Sequence, residues 1–146
     1  MLQKFRSVLV RETVSPEYGE TVVNESADDL MPILKDLLGM DKSPQEELWA
    51  VYLDVKRRVV GLSMVSRGGL SHSVAEPAAV FRQAILSNAC GIILAHNHPS
   101  GDPTPSVDDI NVTKRIKEAG EILGIKLLDH IVVADTYVSM KESGLL

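Results

Sequence analysis

Residues that commonly bind metal ions cluster where an apolar segment gives way to a loop. Residues 91–95 are apolar, and His96 and His98 follow with one residue between them. Residues two apart in a strand point to the same side, so both imidazoles can reach one cation. Asp109 follows a Pro- and Gly-rich loop, which can fold back to bring its carboxylate to the histidines. Two imidazole nitrogens and one carboxylate oxygen, with a fourth position left for water, are typical of a catalytic zinc site.

The same residues also allow purely structural interpretations. The two histidines could form a hydrogen-bonded surface pair. Ser106 and Asp109 have the spacing of a helix capping motif, and Asp102 suits a turn. Residue types and spacing alone therefore leave the metal site and these structural roles open.

The first half of the chain contains elements that can support this segment. Ser26 is a good N-cap and precedes an apolar stripe of helical spacing, which predicts a helix that ends at Gly39. Residues 48–54 and 59–66 are predicted to form a β-hairpin, and residues 70–74 a further short strand.

The second half alternates predicted helices and strands. Helices are expected at residues 77–88 and 106–123, and strands at residues 91–95, 125–134 and 137–140. This order predicts an α/β (α+β) fold in which a mixed β-sheet is flanked by helices.

Composition indicates one globular domain of 146 residues, with 45% hydrophobic residues and a net charge of -5. The acidic total weakens a nucleic-acid-binding interpretation, because such proteins usually carry a basic face. The single cysteine, Cys90, excludes an internal disulfide, and neither a signal peptide nor a membrane span is evident. The expected location is the cytoplasm. Residues 1–23 are predicted to form an N-terminal arm with a strand near residues 7–10.

The motif resembles that of a known enzyme class. His96-x-His98 followed by Ser106-x-x-Asp109 resembles the signature of the JAMM (MPN-domain) zinc hydrolases. The longer string AHNHPSGDPTPS, with LDHIVV further on, resembles the RadC family of bacterial proteins more closely. The resemblance spans roughly residues 24–146. It implies an MPN domain of RadC-like JAMM type over that range, with a cytidine-deaminase-like fold.

The resemblance also implies roles for individual residues. His96, His98 and Asp109 match the zinc ligands, and Ser106 matches the serine that hydrogen-bonds the metal-bound water or the developing tetrahedral oxyanion. A glutamate before the first strand of the hairpin would act as general base. Glu47 fits that place best, and the adjacent Glu46 remains open. The implied activity is hydrolysis of an amide or isopeptide bond in a protein or peptide substrate by metal-activated water.

Two further points stay open at this level. The RadC resemblance also suggests a DNA-repair or recombination accessory module that acts by binding, and longer RadC proteins carry an N-terminal helix-hairpin-helix region that is not recognisable here. The chain is therefore either a natural short form or part of a longer protein. His130 is expected to form a buried hydrogen-bonded pair with Asp129, with support of the metal site as the alternative. The specific substrate and the oligomeric state are not predicted.

Overall fold

The computed structural model describes residues 1–6, 16–24, 26–68 and 75–146. The strands predicted near residues 7–10 and at residues 70–74 lie outside the described residues.

The described residues build a five-stranded mixed sheet in the order β2-β1-β3-β4-β5. Its strands are β1 (Glu47–Leu53), β2 (Val59–Arg67), β3 (Gly91–Asn97), β4 (Lys126–Val133) and β5 (Tyr137–Ser139). β3 and β4 are parallel, and the other neighbouring strands are antiparallel. With helices on its faces, this sheet confirms the predicted fold class.

Two regular helices, α1 (Pro77–Leu86) and α2 (Val107–Leu123), cover one face of the sheet. Their apolar stripes pack against alternate residues of the central strands. Phe81 of α1 and Ile116 of α2 are among the fully buried side chains of this core. α2 follows directly after the loop that leaves β3, so the fold joins the histidines to the beginning of a well-anchored helix.

The other face is covered by the segment after Ser26, which is not the regular helix that the apolar stripe predicts. A 3-10 turn (Ala27–Leu30) is followed by a π-helix (Pro32–Leu37), although Ser26 caps the segment as expected by accepting a hydrogen bond from Asp28 N. Pro32, the first residue of the π-helix, has no backbone N–H and therefore cannot donate an α-helical hydrogen bond to the preceding turn. Gly39, with φ of 61°, ends the segment. Short 3-10 helices also occur at Pro16–Tyr18 and Met40–Lys42.

The sheet register brings two distant segments to the same edge. Leu48, at the beginning of β1, lies opposite His96, at the end of β3. The residues just before β1 therefore lie beside the loop that carries His98. Among the described residues, every helix is too short or too polar to span a lipid bilayer.

Candidate metal centre

Three side chains from the end of β3 and the beginning of α2 converge on one point. His96 Nε2 lies 2.9 Å from His98 Nε2. Asp109 Oδ2 lies 3.1 Å from His98 Nε2, and Asp109 Oδ1 lies 3.3 Å from His96 Nε2. All three ligand atoms lie within 4.8 Å of one another, so the group can hold a metal ion. His96 is completely buried and Asp109 is 3% exposed, while His98 is half-buried at the edge.

The loop after β3 fixes the orientation of the His98 ring. His98 Nδ1 lies 2.8 Å from the carbonyl oxygen of Asp102. Thr104 donates from its N–H and its hydroxyl to the Asp102 carboxylate, and these bonds, the hydroxyl first, lower the pKa of Asp102. Gly101 adopts φ of 90°, where an added Cβ would approach an Asp135 carboxylate oxygen to 2.9 Å. Asp102 is a turn residue, as the sequence suggests, but its backbone also orients His98.

The hydrogen-bond donors and acceptors around His98 and Asp109 fit a bound cation. A carbonyl oxygen only accepts hydrogen bonds, so His98 Nδ1 must be the nitrogen that carries the proton. In the neutral ring, Nε2 then has a lone pair directed at the Asp109 carboxylate, which is also an acceptor. Two acceptors 3.1 Å apart repel each other unless a positive charge lies between them. The donor set itself, two imidazoles and a carboxylate, is one that zinc binds readily.

His96 is supported by a second buried histidine. His96 Nδ1 lies 2.7 Å from His130 Nε2, and His130 Nδ1 lies 2.6 Å from Thr113 Oγ1. Burial, followed by the nearby His96, lowers the pKa of His130 well below its ordinary value, so the ring is neutral. The expected buried hydrogen bond between Asp129 and His130 is present, but it comes from the backbone N–H of His130, so the imidazole ring remains available for other contacts. From the parallel strand β4, the His130 ring faces the candidate metal ligand His96.

Asp109 takes part both in the helix capping motif and in the candidate metal site, the two roles that the sequence leaves open. It forms a capping box with Ser106: its backbone N–H donates to Ser106 Oγ at 3.0 Å, and its Oδ2 accepts from Ser106 N at 2.8 Å. Burial raises the pKa of Asp109, but in the metal-free site the hydrogen bond and charge that a protonated His96 contributes, together with the bonds from Ser106, outweigh this effect and hold the pKa well below its usual range. The capping box thus fixes an ionised carboxylate beside the two histidines.

Glu47 and Glu46 point in different directions. Glu47 Oε2 accepts from the Trp49 indole at 3.0 Å, and Glu47 Oε1 accepts from Ser43 at 3.2 Å and from Arg67 at 3.1 Å. These contacts hold Glu47 on the sheet face opposite to His96, as strand alternation requires for the neighbour of Leu48.

Glu46, one residue earlier, lines an open cleft of about 320 Å³ beside the three ligands. The cleft is also lined by His98, Pro99, Ser100, Ser106, Asp108 and Asp109. The structure thus brings together His96, His98, Asp109 and Ser106, with Glu46 at the cleft, and does not bring Glu47 to them.

The sequence interpretation missed Thr113 and Asn97. Thr113 lies one helical turn after Asp109, and this spacing could have identified it. Asn97 lies between the histidines and points to the other face, where its Oδ1 accepts from Glu47 N at 2.7 Å and its Nδ2 donates to Gln45 O at 2.9 Å. Since these bonds flank Glu46, Asn97 fixes the backbone that presents Glu46 to the cleft.

Comparison with known proteins agrees with this geometry. The family profile described as "RadC-like JAB domain" matches residues 24–145. A UPF0758 protein of Clostridium beijerinckii is 52% identical over 108 residues, covering 73% of this chain and 47% of that protein. A UPF0758 protein of Desulfitobacterium hafniense is 43% identical over 137 residues, covering 93% of this chain and 59% of that protein. The chain thus spans about half the length of the curated relatives it matches. The resemblance seen in the motif is confirmed, and the chain belongs to the family of RadC-like JAB domains.

Proposed function

We propose that this domain is a zinc-dependent hydrolase that cleaves an amide or isopeptide bond in a protein or peptide substrate. The observation that carries the proposal is the convergence of His96 Nε2, His98 Nε2 and an Asp109 carboxylate oxygen at one side of an open cleft. Membership of a JAMM-related family supports the same reaction class.

His96, His98 and Asp109 are the proposed zinc ligands. Three protein ligands leave one coordination position for water or substrate, as in catalytic rather than structural zinc sites. When bound, zinc supplies a Lewis acid that lowers the pKa of water to ~7. Imidazole nitrogens favour zinc, while the carboxylate limits the positive charge of the centre.

Ser106 is the proposed oxyanion donor. Its Oγ accepts a hydrogen bond from Asp109 N, so its own proton remains for another acceptor. Ser106 lines the cleft, where the carbonyl oxygen of a bound substrate would gain negative charge. A fixed donor at this point stabilises the transition state more than the ground state.

Glu46 is the proposed general base, in preference to Glu47. Its position in the cleft with His98 and Asp109 allows its carboxylate to take a proton from an attacking water and return it to the leaving amine. Glu47 is 7% exposed and bonded to Trp49 and Arg67, so a structural role suits it better.

Adjacent substitutions test this proposal. Wild type, Glu46→Gln and Glu47→Gln are compared for zinc content and for turnover on a panel of fluorogenic peptides and isopeptide-linked conjugates. Glu46→Gln should retain zinc and lose about 10²–10⁴-fold in turnover, the usual contribution of a general base. Glu47→Gln is the matched control and should retain zinc and most of the activity.

Two results would contradict the proposal. A zinc-loaded wild type that cleaves no member of the panel would remove the hydrolase function. Full activity in Glu46→Gln, with loss in Glu47→Gln, would reverse the assignment of the base.

A further inference from the structure

The two histidine ligands are held in different ways. His98 donates to a backbone carbonyl, whereas His96 is bonded through its Nδ1 to another imidazole, that of His130. The chain of contacts continues from His130 to Thr113 Oγ1 and from there to the carbonyl oxygen of Asp109, each step being 2.6 Å. It therefore runs from one proposed ligand to the backbone of another. We call the side chains of His96, His130 and Thr113 the relay.

The contacts of the relay allow two arrangements of protons, because each neutral imidazole and the hydroxyl carry one proton each. In the first arrangement, Thr113 donates to His130 Nδ1, His130 Nε2 donates to His96 Nδ1, and His96 carries its proton on Nε2. In the second, His96 Nδ1 donates to His130 Nε2, His130 Nδ1 donates to Thr113 Oγ1, and Thr113 donates to the Asp109 carbonyl. Both arrangements contain the same number of protons and the same charge.

Only the second arrangement is compatible with metal binding. The first directs a proton from His96 Nε2 into the space between the ligands, whereas the second leaves a lone pair there. The Asp109 carbonyl makes the second arrangement available, since it accepts the Thr113 proton and cannot donate one in return. Without this hydroxyl, the proton on His130 Nδ1 would lose its 2.6 Å acceptor.

We infer that Thr113 is a positioning residue: its hydroxyl selects the Nδ1-protonated form of His130 and thereby presents the Nε2 lone pair of His96 to the metal. This inference rests on the proposed zinc centre. The relay is sealed from water, with His96 and His130 at 0% exposure and Thr113 at 1%, so solvent does not replace a missing partner. It also joins β3, β4 and α2 at the point where the ligands meet.

Substitutions that separate the hydroxyl from the shape of the side chain test the inference. Zinc affinity is measured by competition with a chromophoric chelator for wild type, Thr113→Val, Thr113→Ser and Ser139→Ala. Thr113→Val keeps the shape and should weaken zinc binding about 10–100-fold, the usual effect of losing a hydrogen-bonded group that supports a metal ligand. Thr113→Ser should restore near-wild-type affinity. Ser139→Ala removes an equally buried hydroxyl outside the relay and should leave the affinity close to wild type.

Nitrogen-15 NMR of zinc-loaded wild type provides a second readout that does not depend on how well any variant folds. Two-bond couplings identify which ring nitrogen carries the proton, and the expected result is Nδ1–H on both His96 and His130. A proton on His130 Nε2, or wild-type affinity in Thr113→Val, would overturn the relay while leaving the zinc centre intact. Wild type that binds no zinc would instead contradict the proposed zinc centre, and the relay with it.

Discussion

Asp109 and Asp129 are both buried aspartates, at 3% and 6% exposure, but their surroundings differ. Asp129 accepts three hydrogen bonds: from Ser139 Oγ at 2.6 Å, from His130 N at 2.7 Å and from Lys141 N at 3.0 Å. Asp109 accepts one from Ser106 N and otherwise faces the Nε2 atoms of two histidines. Burial raises the pKa of Asp129, whereas His96 and Ser106 hold the pKa of Asp109 low against the effect of burial.

The contrast shows how a candidate metal ligand differs from a structural carboxylate in the same core. Donors surround Asp129, so the protein itself satisfies it and the carboxylate fastens β4 to the turn after β5. Asp109 faces two imidazole nitrogens that can act as acceptors, so a cation could complete its surroundings. Burial alone therefore does not identify a metal site, and the count of donors against acceptors is the sharper criterion.

The largest expected effect is on stabilisation by zinc. Zinc at about 100 times its dissociation constant should raise the free energy of unfolding of wild type by ~2.7 kcal/mol, because only the folded state presents the site. Asp109→Asn should show no such gain, whereas Asp129→Asn should show the full gain from a lower starting point. Thermal unfolding with and without zinc measures this gain for wild type and both variants. A gain in Asp109→Asn equal to that of wild type would contradict the proposed difference between Asp109 and Asp129.

The second expected effect is on the free energy of unfolding of the metal-free protein. Asp129→Asn replaces one acceptor oxygen by an NH₂ group that must face a donor, so it should cost about 1–3 kcal/mol of unfolding free energy. Ser139→Ala removes one donor to the same carboxylate and is the milder comparison. Urea denaturation of the metal-free proteins measures both free energies of unfolding. An unchanged stability of Asp129→Asn would show that this carboxylate does not stabilise the contact between β4 and the turn after β5.

The smallest effect concerns an exposed carboxylate, Asp28, which accepts a 2.6 Å hydrogen bond from the Tyr137 hydroxyl. This bond raises the pKa of Tyr137 to about 12 from 10.0. Because the folded-state pKa is raised, the contribution to stability is complete below pH 10 and is lost as the pH rises toward 12. The difference in stability between wild type and Tyr137→Phe should shrink over that range, and a constant difference would contradict the bond.

Much of the fold could be predicted from local patterns. The hairpin, the buried strand before His96 and the helix capped by Ser106 follow from periodicity and capping, and the structure contains all three. The segment after Ser26 could not be predicted in detail, because an apolar stripe gives the buried face but not the hydrogen-bond spacing around Pro32.

The candidate site was predictable only where its residues are close in sequence. His96, His98 and Asp109 belong to one short motif, whereas the support from His130 crosses from a neighbouring strand. The side of the sheet on which a glutamate lies depends on where β1 begins, and a boundary error of one residue exchanges Glu46 for Glu47. These features depend on tertiary contacts that sequence spacing does not encode.

The most direct test of the zinc centre is the metal content of purified protein, measured by elemental analysis after exchange into metal-free buffer. One zinc ion per chain is expected in wild type and in Asp129→Asn, and almost none in Asp109→Asn or His96→Ala. Absence of zinc from wild type, or equal zinc in wild type and Asp109→Asn, would contradict the account.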